Sequence, residues 1–181
     1  MKKLILIRHC QAEGQHKDSP LTNNGVNQAR RLAEFLNSKG LKLDRIISSP
    51  YMRAVETIKP YARQNEIDIE TDSRLQERIL SDQPVDDWFD VVETSFKDMD
   101  YRLPGGESSN DALQRGLQVI KEAMEDPNHQ QIAMVTHGNL LMLLLSQFEE
   151  GYGFTQWRLL KNPDIFIIEH EQDFYQLQHI W

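Results

Sequence analysis

Three short apolar runs, Lys3–Ile7, Arg45–Ser48 and Ile132–Thr136, decide most of what this chain can become. None alternates apolar with polar residues, which is the mark of strands buried on both faces. Each run leads into helical sequence. After the first, Thr22 is placed to cap a helix whose Val26, Ala29, Leu32, Ala33 and Leu36 share one face, and Gly40 is placed to stop it. After the second, Ser49 with Pro50 reads as the N-cap and first residue of another helix, which Pro60 should kink or end. After the third, Gly138 to Phe148 reads as a strongly apolar, buried helix. Strand followed by helix, repeated, implies an α/β fold: a mostly parallel central sheet with helices on both faces.

The remaining segments complete this plan. A short strand is expected around Ile67–Thr71, and Ser108 with Asp111 forms a capping box for the helix that follows. Ile165–Glu169 and Tyr175–Ile180, joined across Gln172 and Asp173, read as a closing hairpin. Arg78 to Gly106 breaks the rhythm with Trp88, Phe89, Val91, Val92, Ser95, Phe96 and Met99 at helical spacing. Such a stripe is more often core than a recognition surface, with part of it free to face a pocket.

In parallel sheets, ligands bind outside the carboxyl ends of the strands. The three apolar runs deliver Arg8 and His9, then Arg53, then His137 to that edge. Arginine is a permanent cation whose planar fork matches phosphate oxygens, and a neutral imidazole can attack near pH 7. Two cations and two imidazoles suffice to neutralise and attack one phosphate. Arg53 also falls near a helix N-terminus, a ready anion site where an arginine is otherwise unfavourable with the helix dipole.

With these residues in order, the sequence resembles the histidine phosphatase superfamily, which includes the cofactor-dependent phosphoglycerate mutases. The resemblance runs through Arg8-His9, Leu21-Thr22 with Gly25 and Gln28-Ala29, Ser48-Ser49-Pro50 with Arg53-Ala54 and Thr57, Leu75 with Glu77, Gly105-Gly106-Glu107-Ser108, and Thr136-His137-Gly138. It implies His9 as nucleophile, forming a phosphohistidine that water hydrolyses. It implies Arg8, Arg53 and His137 as phosphoryl ligands, with His137 also counted in the catalytic set, and Glu77 as general acid; Glu107 is a rival carboxylate. It places Gln15 where a polar residue contacts phosphate, and a small helical cap at about 78–106 over the strand carboxyl ends. Cys10 departs from the pattern, which has glycine there; if that glycine serves a positive φ or close backbone approach, cysteine should strain the loop.

The function expected is a metal-independent phosphomonoesterase acting on a small phosphorylated metabolite. A phosphoglycerate-mutase-type phosphotransferase is the alternative within the same chemistry, and a non-catalytic phosphometabolite-binding module the alternative outside it. At 181 residues one domain spanning 1–181 is expected. A net charge of −8 argues against nucleic acid or an anionic membrane as partner. One cysteine excludes an intrachain disulfide and suits a reducing compartment, so a soluble, cytoplasmic protein is expected. No metal-ligand spacing, phosphate-loop lysine motif or dinucleotide fingerprint appears, so no metal or cofactor is expected. Oligomeric state is not legible.

Overall fold

The computed structural model describes residues 2–171 and 174–181. Among them, one sheet contains β1 (Lys2–Arg8), β2 (Arg45–Ser48), β3 (Ile69–Thr71), β4 (Gln131–Thr136), β5 (Asp164–Glu171) and β6 (Phe174–His179). Their spatial order is β3-β2-β4-β1-β5-β6. The first four run parallel, β5 pairs antiparallel with β1, and β6 antiparallel with β5. The expected closing hairpin is therefore present as two paired strands, while its turn at Gln172 and Asp173 lies outside the described residues.

The helices are α1 (Asn23–Ser38), α2 (Met52–Gln64), α3 (Trp88–Lys97), α4 (Ser109–Glu125), α5 (Gly138–Leu145) and α6 (Phe154–Leu159), with a short 3-10 turn at Ser73–Leu75. The pleat of β1 explains the two layers. Leu4 and Leu6 face a core shared with α4 and α5, whereas Ile5 and Ile7 face one shared with α1 and α2. All four are fully buried, each burial being worth about 1.5–3 kcal/mol. A strand so enclosed has no polar face to show, which is why its sequence does not alternate.

Several local expectations shift. Thr22 does cap α1, its Oγ1 accepting the Gly25 N–H at 2.9 Å. Val26, however, is exposed, and Gly25 takes the buried position. A Cβ on Gly25 would lie 2.0 Å from the Gln11 carbonyl oxygen, so only glycine lets the loop after β1 close on the helix. Next, α2 starts at Met52 and its N-cap, Tyr51, makes no side-chain cap bond. The Ser49 hydroxyl is engaged instead by His137 and the Tyr51 N–H. Pro60 does not end α2, which continues to Gln64. Tyr61 and Ala62 beyond it are buried in the core, and the Tyr61 hydroxyl donates to the Leu41 carbonyl at 2.7 Å; this packing outweighs the missing N–H. Regular α5 stops at Leu145, and Gln147 and Phe148 continue in single turns.

At Ser108 the capping box is complete, with Asp111 reciprocating. The α3 stripe is split: Val91, Val92 and Ser95 are buried, while Trp88 and Phe89 are exposed. Among the described residues no helix is long and apolar enough to cross a membrane.

Candidate active site

Adjacent strands β2, β4 and β1 end together, and the residues that follow them meet at one cavity of ≈ 590 Å³. Arg8, His9, Gln15, Arg53 and Glu77 line it. His137 stands behind His9, their ring centroids 5.1 Å apart. The sheet thus brings every expected site residue to one place.

His9 is nearly enclosed, at 7% exposure. Its Nδ1 lies 2.6 Å from the Cys10 carbonyl oxygen, which requires Nδ1 to carry the proton and donate. The Nε2 lone pair is therefore turned toward Arg53, whose Nε donates to it at 3.3 Å. Burial pushes the His9 imidazole down to about 3, assisted by Arg53 and Arg8 and opposed by the Cys10 carbonyl. A ring so placed is held toward its neutral form, with its unprotonated nitrogen facing Arg53.

His137 is fully buried, and burial together with the charges around it holds its imidazole well below the usual range. Its Nε2 pairs with Ser49 Oγ at 2.8 Å, and its Nδ1 has no protein partner. Tyr51 packs edge-on against it at 5.0 Å.

Arg53 is held before any ligand arrives. Nη1 donates to the carbonyls of Gln15 (3.1 Å) and His16 (2.9 Å), and the guanidinium lies 4.9 Å from the Tyr51 ring centroid. Gln15 therefore acts here through its backbone, while its side chain is exposed at the rim. Arg8 donates through Nη1 to Leu160 (2.9 Å) and Lys161 (3.1 Å), leaving a buried Nε without a partner. Burial lowers both guanidinium pKa values, and Glu77 opposes the effect at each.

Glu77 makes no pair with Arg74, which binds Asp72 and Glu122. Its carboxylate accepts three backbone N–H bonds, from Arg78 (2.8 Å), Asn139 (3.0 Å) and Leu140 (3.0 Å). Two of those donors belong to the first turn of α5, whose positive end attracts a carboxylate. Glu107, the rival, is engaged elsewhere. Burial alone would raise it, but Arg115 and the Ile79 N–H hold it below the usual carboxylate range.

Cys10 is buried against Leu21 and Ala29, and burial raises its thiol to about 12. Its φ is not positive, so the strain expected of a cysteine in place of glycine does not arise. Its N–H donates instead to Thr57 Oγ1 at 2.8 Å.

Residues to which sequence reasoning gave no part in the site also converge. Ser49 holds His137, Thr57 holds the Cys10 N–H, and Asn162 Nδ2 donates to the His9 carbonyl at 2.7 Å. Arg115 grips the carbonyls of Arg74 and Gln76 and so fixes the turn that presents Glu77. Both amide atoms of buried Asn139, and Nη1 of buried Arg78, lack protein partners beside the same cavity. Ile79, Leu80, Ser81, Gln83 and Val85, together with the tryptophans Trp88 and Trp157, form most of its outer wall.

Comparison with known proteins places the chain among similar sequences and folds. The chain is 30% identical to the probable phosphoglycerate mutase GpmB of Proteus mirabilis (strain HI4320), over 94% of this chain and 86% of that one. It is 24% identical to the broad-specificity phosphatase YOR283W of Saccharomyces cerevisiae (strain ATCC 204508 / S288c), over 96% and 82%. The mycobacterial glucosyl-3-phosphoglycerate phosphatase Rv2419c complexed with VO3 superposes with a TM-score of 0.80 at 21% identity, over 99% of this chain and 98% of that one. A putative alpha-ribazole-5'-P phosphatase from Escherichia coli str. K-12 substr. MG1655 gives 0.78 at 22%, over 99% and 95%. These two likenesses are of fold. The sequence profile of branch 1 of the histidine phosphatases matches residues 4–180. Matched over nearly its whole length by that profile, the chain belongs to the histidine phosphatase superfamily (branch 1).

Proposed function

We propose that this protein is a metal-independent phosphomonoesterase that hydrolyses a small phosphorylated metabolite through a phosphohistidine on His9. The observation that carries the reading is the fixed tautomer of His9, with Nδ1 tied to the Cys10 carbonyl and Nε2 flanked by Arg53. In the first step Nε2 attacks phosphorus in line and the bond to the ester oxygen breaks. Arg8, Arg53 and His137 hold the three phosphoryl oxygens as charge shifts among them. Glu77 gives its proton to the departing alkoxide, then takes one from the water that attacks the phosphohistidine. Inorganic phosphate leaves and neutral His9 returns.

The leaving group occupies the outer cavity. Trp88 and Trp157, 6.2 Å apart edge to face, favour a flat or apolar portion on the substrate. A cavity of ≈ 590 Å³ holds a metabolite rather than a folded protein surface.

Hydrolysis of p-nitrophenyl phosphate with excess chelator, compared between wild type and His9→Ala, tests the proposal. Chelator-resistant turnover that disappears in the variant is expected. Undiminished activity in His9→Ala would show that another group attacks. Arg78, buried at the cavity with a free N–H, favours a second reading, a phosphoglycerate-mutase-type transfer in which a second anionic group is held. Interconversion of phosphoglycerate isomers without net phosphate release would establish it.

A further inference from the structure

The loop between α6 and β5 grips both residues at the end of β1. Leu160 and Lys161 carbonyls accept the Arg8 Nη1 protons, and the next residue, Asn162, donates its amide to the His9 carbonyl. Its far end is pinned by Asp164, which is 1% exposed and stands opposite Arg8 in the β1–β5 register. Asp164 Oδ2 accepts the Lys161 N–H at 3.0 Å, closing the loop on itself, and Oδ1 pairs with His179 Nε2 at 2.5 Å. The His179 ring is stacked on Phe166, 4.4 Å between centroids, so the outer partner is itself fixed.

Gly138 closes on Arg8 as well. A Cβ there would lie 3.1 Å from Arg8 Nε, so the guanidinium is packed against α5 while the loop carbonyls hold Nη1. A free arginine side chain samples many rotamers, and binding a ligand would have to freeze them. Here that freedom is removed in advance by neutral carbonyl groups, which orient the cation without quenching its charge.

We propose that Asp164 and Asn162 are positioning residues for the phosphoryl site. Asp164 holds the Leu160–Lys161 carbonyls that aim Arg8, and Asn162 holds the backbone that carries His9. The proposal rests on the reading of Arg8 as a phosphoryl ligand and His9 as the nucleophile. Asp164 touches no substrate and acts through the loop. The two residues have separable effects: Asp164 governs how tightly a phosphoryl group is bound, Asn162 how well the nucleophile is aimed.

Calorimetric titration with orthovanadate reads the first effect without requiring turnover. Asp164→Ala is expected to weaken vanadate binding about tenfold or more, since displacement of a positioned group by even 1 Å is costly. Asp164→Asn, whose amide oxygen can still accept the Lys161 N–H, should remain within about threefold of wild type. Glu169→Ala, which breaks the Lys3 pair on the same strand, should leave binding unchanged. Wild-type affinity in Asp164→Ala overturns the proposal. So does an Asn variant as weak as the Ala variant, which would make the charge on residue 164 the operative feature. Asn162→Ala should lower kcat for p-nitrophenyl phosphate about tenfold while KM and vanadate affinity stay within threefold; equal loss in all three would assign it to substrate binding instead. If Asp164→Ala does not fold, Asp164→Leu, which fills the site but cannot accept the Lys161 N–H, takes its place: about tenfold weaker vanadate binding is expected, and wild-type affinity overturns the proposal. A wild type that binds vanadate but turns over no ester would sink the phosphatase reading and leave the Asp164 result standing.

Discussion

Lowering the pH from 7 to 5 should destabilise this protein through two imidazoles whose surroundings disfavour protonation in the folded state. His9 is 7% exposed with its pKa lowered to about 3, and His137 is fully buried with its own held well below 6.5. In the unfolded chain both return to about 6.5, so the unfolded state binds two protons that the folded state refuses. Stability therefore rises with pH through 6.5 and is lost as pH falls, the His9 share continuing to fall until about pH 3. Between pH 7 and pH 5 the His9 ring accounts for a loss of about 2 kcal/mol from the linkage relation, and His137 shifts stability in the same direction. Carboxylates add little in that window because unfolded Asp and Glu titrate near 4. Urea unfolding at the two pH values measures the total, and His9→Ala isolates one ring. The variant's pH dependence should be smaller than wild type's by about 2 kcal/mol. A difference below about 0.5 kcal/mol would mean that His9 is protonated in the folded enzyme at pH 5. That result would refute the claim that the nucleophile is kept neutral by its surroundings. On the same reasoning, the acid limb of the pH–rate profile does not report His9.

Glu77→Gln should lower kcat about 10²–10⁴-fold toward alkyl phosphates, the usual cost of removing a general acid. The loss should shrink for p-nitrophenyl phosphate, whose leaving group needs no proton, and equal losses on both substrates would count against the role. Cys10→Gly should retain activity while losing about 2 kcal/mol of stability, because it empties a packed site and loosens a backbone that needs no positive φ. With its thiol raised to about 12 and buried, Cys10 should also resist alkylation at pH 8 in the folded protein; rapid labelling there would contradict the packing described. Gly138→Ala should raise the vanadate dissociation constant several-fold, since the new Cβ arrives 3.1 Å from Arg8 Nε.

Much of the fold and site was legible because burial on both faces leaves a signature in composition. The unbroken runs of β1, β2 and β4 located three strands, and parallel topology then forced Arg8, His9, Arg53 and His137 to one edge. Local punctuation was read well where the capping side chain had no competing partner, as at Thr22 and Ser108. It failed at Ser49, whose hydroxyl is taken by a histidine 88 positions away. Pro60 does not end α2, because the core beyond the proline holds the helix together. Val26 and Gly25 were exchanged for a similar reason. Periodicity favours the larger apolar residue, but the Gln11 carbonyl sits where any side chain at position 25 would be.

What escaped the sequence altogether is instructive, because it concerns positioning rather than chemistry. Arg53 is aimed by the carbonyls of Gln15 and His16, Arg8 by those of Leu160 and Lys161, and His9 by that of Cys10. A carbonyl oxygen is the same for every residue type, so the identities of these five positions say nothing about the work their backbones do. Such acceptors suit an anion site. Side-chain carboxylates would hold the arginines equally well, yet each would cancel a charge that must be available to phosphate. The nearby carboxylates, Glu77 and Asp164, fit this logic: the first is bound to backbone N–H groups and the second to a loop N–H and His179, neither to a guanidinium group. The protein is acidic overall, but at this one edge it keeps its cations unpaired and oriented by dipoles. That is the physical condition the proposed phosphoryl site requires, since cations already oriented and unpaired lose least on meeting a dianion.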